Sequence, residues 1–128
     1  MNEDIIHIEP GSRYSQAVVH KGLVYLCGQV GAPNASIAEQ TRGALANIDR
    51  LLAAAGSDKS RILQATIWLS DIRHWAEMTA VYEDWIPKGS VPARASVESR
   101  LVPNYDVEIM LTAAQMPSDP VPRIDRTS

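Results

Sequence analysis

A chain of 128 residues, 45% hydrophobic and 21% charged, has the size and make-up of one globular domain. Its formal net charge of -3 leaves no electrostatic footprint for nucleic acid, and its one cysteine, Cys27, excludes an internal disulfide. No apolar run is long enough for a helical membrane span, and the acidic start Met1-Asn2-Glu3-Asp4 is unlike a secretory signal, so the expected location is cytoplasmic.

Ile5, Ile6 and Ile8 predict a first strand, ended by Pro10-Gly11. Two β-rich runs follow, Ala17-Val18-Val19-His20 and Leu23-Val24-Tyr25-Leu26-Cys27, joined by a Lys21-Gly22 hairpin turn. Gly28 and Gly31 interrupt the pattern, and Pro33-Asn34 marks a loop. Ser36 and Glu39 have the spacing of a capping box, in which each side chain satisfies a free backbone N–H at the helix start. Thr41, Leu45, Ile48, Leu52 and Ala55 then form one apolar stripe, and Gly56 stops the helix. Ile62 to Leu69 alternates as a strand does, with Ala65, Ile67 and Leu69 on one face.

Asp71 can cap a second helix reaching Trp85, with Trp75, Met78, Tyr82 and Trp85 as its apolar stripe. Pro87-Lys88-Gly89 ends it, and strands at Ala93 to Glu98 and Asp106 to Ala114 follow. The domain is expected to span residues 1–115, with an irregular tail at 116–128 holding Pro117, Pro120 and Pro122. The order β-β-β-α-β-α-β-β describes an α+β fold with two helices covering one sheet face. The other face still carries Val, Ile, Leu and Met, so an oligomer is expected to cover it.

Arg94 shares a strand face with Ser96, among small residues. A guanidinium there needs a partner, and its planar fork suits a carboxylate, whether from a small acid or from a structural salt bridge, unless it is simply an exposed edge-strand charge. Glu108 shares a face with Met110 and Thr112, opposite to Val107, Ile109 and Leu111. A carboxylate on a partly apolar face calls for a cationic partner, or it serves to orient water. Tyr14 sits in the polar loop Ser12-Arg13-Tyr14-Ser15-Gln16, where it closes a pocket or packs at a subunit contact. Gly28 allows close approach of a ligand or marks a bulge.

His7, His20 and His74 lack metal-ligand spacing, no phosphate-binding loop is present, and no metal or organic cofactor is expected. Cys27 reads as an inert core thiol, Ser96 lacks a visible histidine base, and Arg42, Arg50, Lys59 and Arg61 read as solvated charges.

Several motifs in order resemble the RidA/YjgF family of imine and enamine deaminases. They are Arg13-Tyr14-Ser15-Gln16-Ala17, Leu26-Cys27-Gly28-Gln29-Val30-Gly31, Gln40-Thr41-Arg42 with Leu45-Ala46-Asn47-Ile48, Pro92-Ala93-Arg94-Ala95-Ser96-Val97-Glu98, and Val107-Glu108-Ile109. The resemblance covers about Ile5 to Ala114. It implies a subunit similar to Bacillus-type chorismate mutase, assembled as a homotrimer with clefts between subunits. It also implies hydrolysis of reactive 2-imino acids to 2-oxo acids and ammonia, with a small carboxylate-bearing imine as partner and neither nucleic acid nor membrane. Arg94 would bind the substrate carboxylate and Glu108 would position water. Tyr14, Gly28, Ala95 and Ser96 would complete the substrate site. A non-catalytic carboxylate-binding trimer is the alternative. Thr79 departs from the pattern, because many deaminating members carry asparagine there.

Overall fold

The computed structural model describes residues 4–117. The elements are β1 (Ile6–Pro10), β2 (Ser15–His20), β3 (Leu23–Leu26), α1 (Ile37–Ala54), β4 (Ile62–Leu69), α2 (Trp75–Trp85), β5 (Ala93–Glu98) and β6 (Val107–Ala114). Their order is the one expected. The tail at 118–128 lies outside the described residues.

The strands form one six-stranded sheet in the order β1-β2-β3-β6-β4-β5. All neighbours are antiparallel except β4 and β5, which run parallel with α2 as their crossover. The edge strand β1 ends on Pro10, whose missing N–H costs no ladder bond at an edge.

Register-paired residues share a face of the sheet. Ala65 pairs with Leu111, Ile67 with Ile109 and Leu69 with Val107. All six are buried with Leu45, Ile48 and Leu52 of α1 and Met78 and Tyr82 of α2. Each large side chain of this core contributes about 1.5–3 kcal/mol by leaving water. Trp68 pairs with Glu108 and Thr66 with Met110, which puts them on the opposite face. There Tyr25 is 45% exposed, Val97 42% and Met110 41%, so neither helix covers that face. The two-layer arrangement is the one expected.

The stripe expected on α1 is buried, and Gly56 ends the helix with φ +78°. Only half of the capping box forms. Ser36 Oγ accepts from the Glu39 N–H at 3.1 Å, but the Glu39 carboxylate takes Arg42 Nη1 at 2.8 Å. The charged neighbour one turn on is a stronger partner than a backbone amide.

Other differences have local causes. Asp71 caps a 3-10 turn, Ile72–His74, before α2 begins at Trp75. Trp75 is 45% exposed and therefore outside the core stripe. Arg61 is half-buried rather than solvated, and its Nη2 donates to the Gln115 carbonyl at 3.0 Å.

The segment after β3 is held flat against α1. A Cβ on Gly31 would sit 2.5 Å from the Gln40 carbonyl oxygen, and one on Gly43 would sit 2.8 Å from the Gly31 Cα. Asn47 Nδ2 donates to the Val30 carbonyl at 3.0 Å. Gln40, fully buried, accepts from the Asp106 N–H at 2.8 Å and donates to the Asp106 carboxylate at 3.1 Å. Gln40 therefore ties α1 to the residue just before β6, two positions from Glu108.

Candidate functional site

Arg94 lies on the edge strand β5 and pairs in register with Ala65, which pairs in turn with Leu111. Its side chain therefore rises on the helix-covered face, toward α2. Nη2 donates to Thr79 Oγ1 at 2.7 Å and to Ser96 Oγ at 3.4 Å. The guanidinium carbon lies 4.7 Å from the centre of the Tyr82 ring and 5.7 Å from that of Trp75, both within cation–π reach. Burial pushes the Tyr82 phenol up from its ordinary pKa, and the Arg94 charge partly opposes that shift.

Among the described residues no carboxylate pairs with Arg94. A half-buried guanidinium held by two hydroxyls and two rings keeps its full charge unmatched. Such a group is ready to receive an anion.

Glu108 sits on the other face. It lies against Gly28, where a Cβ would fall 1.9 Å from Glu108 Oε2. The close approach arises from a bulge. Tyr25 pairs with Thr112 and Gln29 bridges Ile109, so four steps along one strand match three along the other. Cys27 lies in this bulge, half-buried beyond the end of β3, and is not the core residue expected. Burial, and secondarily the Glu108 charge, push its thiol up from the ordinary value. Gln29 Nε2 donates to Gln16 Oε1 at 2.9 Å, and the Cys27 thiol donates to the same oxygen at 3.4 Å. The cationic partner expected for Glu108 is absent among the described residues. The carboxylate is only half-buried, and water can solvate it.

The candidate residues thus form two groups. Arg94 and Ser96 meet Thr79 on one face, while Gly28 and Glu108 meet on the other. Ala95 pairs with Thr66 and so faces the Glu108 side. Tyr14, 62% exposed, lines a separate cavity of about 220 Å³ with Glu9, Arg13 and Gln16. Another cavity, about 390 Å³, lies between α1 and α2 and is lined by Leu45, Asp49, Val81 and Trp85 among others. It contains none of the candidate residues; its charged lining is Asp49, Asp84 and Arg42, and Arg42 is already paired with Glu39. Among the described residues no cluster of three or more His, Cys, Asp or Glu could hold a metal.

The role of α2 was not apparent from local pattern. Trp75 and Tyr82 read as core stripe and Thr79 only as a departure from the family's asparagine, yet all three surround Arg94. The available signal was the crossover itself. A helix joining parallel neighbours lies over them, so its inner face meets side chains rising from the second strand.

The family model described as endoribonuclease L-PSP matches residues 5–115. The chain is 38% identical to a RutC family protein of Haemophilus ducreyi, over 86% of this chain and 96% of that protein. It is 37% identical to the 2-iminobutanoate/2-iminopropanoate deaminase of Bos taurus, over 81% of each. Among solved structures, a YjgF-family protein of Neisseria meningitidis superposes with a TM-score of 0.88 at 44% identity, covering 91% of this chain and 98% of that one. With this sheet, these two helices and a match across nearly all the described residues, the chain belongs to the endoribonuclease L-PSP family, which is the YjgF/RidA family.

Proposed function

We propose that the protein hydrolyses reactive 2-imino and 2-enamino acids to 2-oxo acids and ammonia. The observation that carries this reading is Arg94, a half-buried guanidinium oriented by Thr79 and Tyr82 and lacking a carboxylate partner among the described residues. The deaminase name of the Bos taurus relative supports the same chemistry.

The substrate carboxylate docks on Arg94, which fixes the C=N carbon in place. Glu108 accepts a hydrogen bond from a water and takes its proton as the oxygen bonds to that carbon. The nitrogen gains protons, the C–N bond breaks, ammonia leaves, and the carbon keeps the oxygen as a ketone. The imine carbon is already electrophilic, so the reaction asks for no cofactor. Arg94 and Glu108 face opposite ways in one chain, so a site holding both is built between neighbouring subunits of a homotrimer. Tyr14, exposed at a separate cavity of its own chain, would reach the cleft from the adjacent subunit, and Gly28 lets Glu108 lie close to the backbone.

The test is imine loss, with 2-aminoacrylate and 2-iminobutanoate generated in situ. Wild type is expected to speed the loss, and Arg94→Ala is expected to lower kcat/KM by about 100-fold or more while the assembly persists. Equal activity in that variant removes the carboxylate anchor. One observation favours a second reading, a carboxylate-binding protein without turnover. Arg94 and the two hydroxyls that hold it, Thr79 and Ser96, belong to one chain, whereas Glu108 stands apart on the other face. Binding of 2-oxobutanoate with no change in imine loss would select that reading.

A further inference from the structure

Thr79 is 94% buried by accessible area, being 6% exposed, and its hydroxyl has one proton to give and lone pairs to receive. It accepts from Arg94 Nη2 at 2.7 Å. Helical threonines commonly give their proton to the carbonyl four residues back, as Thr41 does to Ile37 at 2.7 Å. Thr79 makes no such bond, and its proton faces only the Met78 sulfur at 4.0 Å, a weak acceptor at long range. The result, among the described residues, is a buried donor without a good acceptor, beside a guanidinium without an anion.

We propose, on the reading that Arg94 anchors a carboxylate, that Thr79 is the second recognition group of the anion site. Its lone pair holds Nη2 and its proton goes to an oxygen of the bound acid. Both paired N–H edges of a guanidinium include Nη2. Nη2 holds Thr79 by a short bond, 2.7 Å, and Ser96 only by a long one, 3.4 Å. The incoming carboxylate therefore displaces Ser96, docks on that edge and receives the Thr79 proton as well. Stacking on Tyr82 keeps the guanidinium plane from turning away. Thr79 thereby sets which acids bind, since a ligand needs both a charge for Arg94 and an acceptor within reach of the hydroxyl.

The test uses 2-oxobutanoate as probe, titrated into the full-length protein and followed by NMR line shifts. Thr79→Val keeps the shape and removes the hydroxyl, and Thr79→Ala serves the same comparison should the valine variant fail to fold. Kd is expected to rise about tenfold in either, and Thr79→Ser is expected to stay within about threefold of wild type. A Kd in the valine and alanine variants within about twofold of wild type overturns the role of Thr79, as does failure of serine to restore binding. Arg94→Ala separates the two levels. Loss of binding there with Thr79→Val unchanged sinks only the threonine proposal, and unchanged binding in Arg94→Ala sinks the carboxylate anchor itself.

Discussion

Gly28 leaves space that no other residue could leave. A Cβ there would fall 1.9 Å from Glu108 Oε2, inside any tolerable contact. Gly28→Ala is therefore expected to push the carboxylate aside and to cut turnover of 2-iminobutanoate by about tenfold or more, with a smaller effect on 2-oxobutanoate binding at Arg94. Equal losses in turnover and binding would contradict the separation of the two groups. Cys27 reports on the same carboxylate. Its thiol is pushed up by burial and by the Glu108 charge, so at pH 8 alkylation by iodoacetamide should be slow. Glu108→Gln removes the negative neighbour, lowers the thiol pKa and should raise the alkylation rate about two- to fivefold. An unchanged rate would place the carboxylate too far from the sulfur. At this scale Arg94 and Glu108 stood out in the sequence because charge on a small-residue or apolar strand face is costly. Thr79 stood out only as a departure from the family's asparagine, because a small polar side chain by itself announces nothing until its partner is known.

Each element forms for reasons that are local, but its placement depends on a few buried polar ties. Gln40 is the main one, joining α1 to the backbone and side chain of Asp106 at the entry to β6. Gln40→Met keeps most of the volume and leaves those groups unsatisfied. It is expected to lower stability by about 1–3 kcal/mol, read from the denaturant midpoint, and to reduce activity through the start of β6. A midpoint equal to wild type would mean that water replaces the tie. The helices and strands themselves were legible, because periods of 3.6 and 2 persist across α1 and β4. The start of α2 was less so. Asp71 is a good cap, but the first turn it caps is 3-10, and Trp75 turns out to Arg94 instead of into the core.

In the whole molecule, one sheet face is packed by helices and the other bears Tyr25, Trp68, Val97 and Met110 without a cover from the described residues. Such a face is stable in water when another copy covers it. Met110→Glu is expected to shift the proposed trimer to monomers in analytical ultracentrifugation, with helix content retained. A wild-type chain that sediments as a monomer would remove the inter-subunit site, since Arg94 and Glu108 could not then meet. The same variant should lose imine hydrolysis while binding 2-oxobutanoate within about threefold of wild type, because Arg94, Thr79 and Ser96 belong to one chain.

The sequence by itself determined the element order, the two-layer architecture, the uncovered face and the charged residues worth singling out. Each follows from periodicity, turn chemistry or the cost of burying charge, and all of these act over short stretches of chain. Only the tertiary structure decided which partners those residues have. The register of β4 with β5 and β6 sends Arg94 and Glu108 to opposite faces, the crossover brings Thr79, Trp75 and Tyr82 to the guanidinium, and the bulge at Cys27-Gly28 seats the Glu108 carboxylate. Such contacts join residues distant in sequence, and strand pairing, which sets them, leaves no mark on either strand alone.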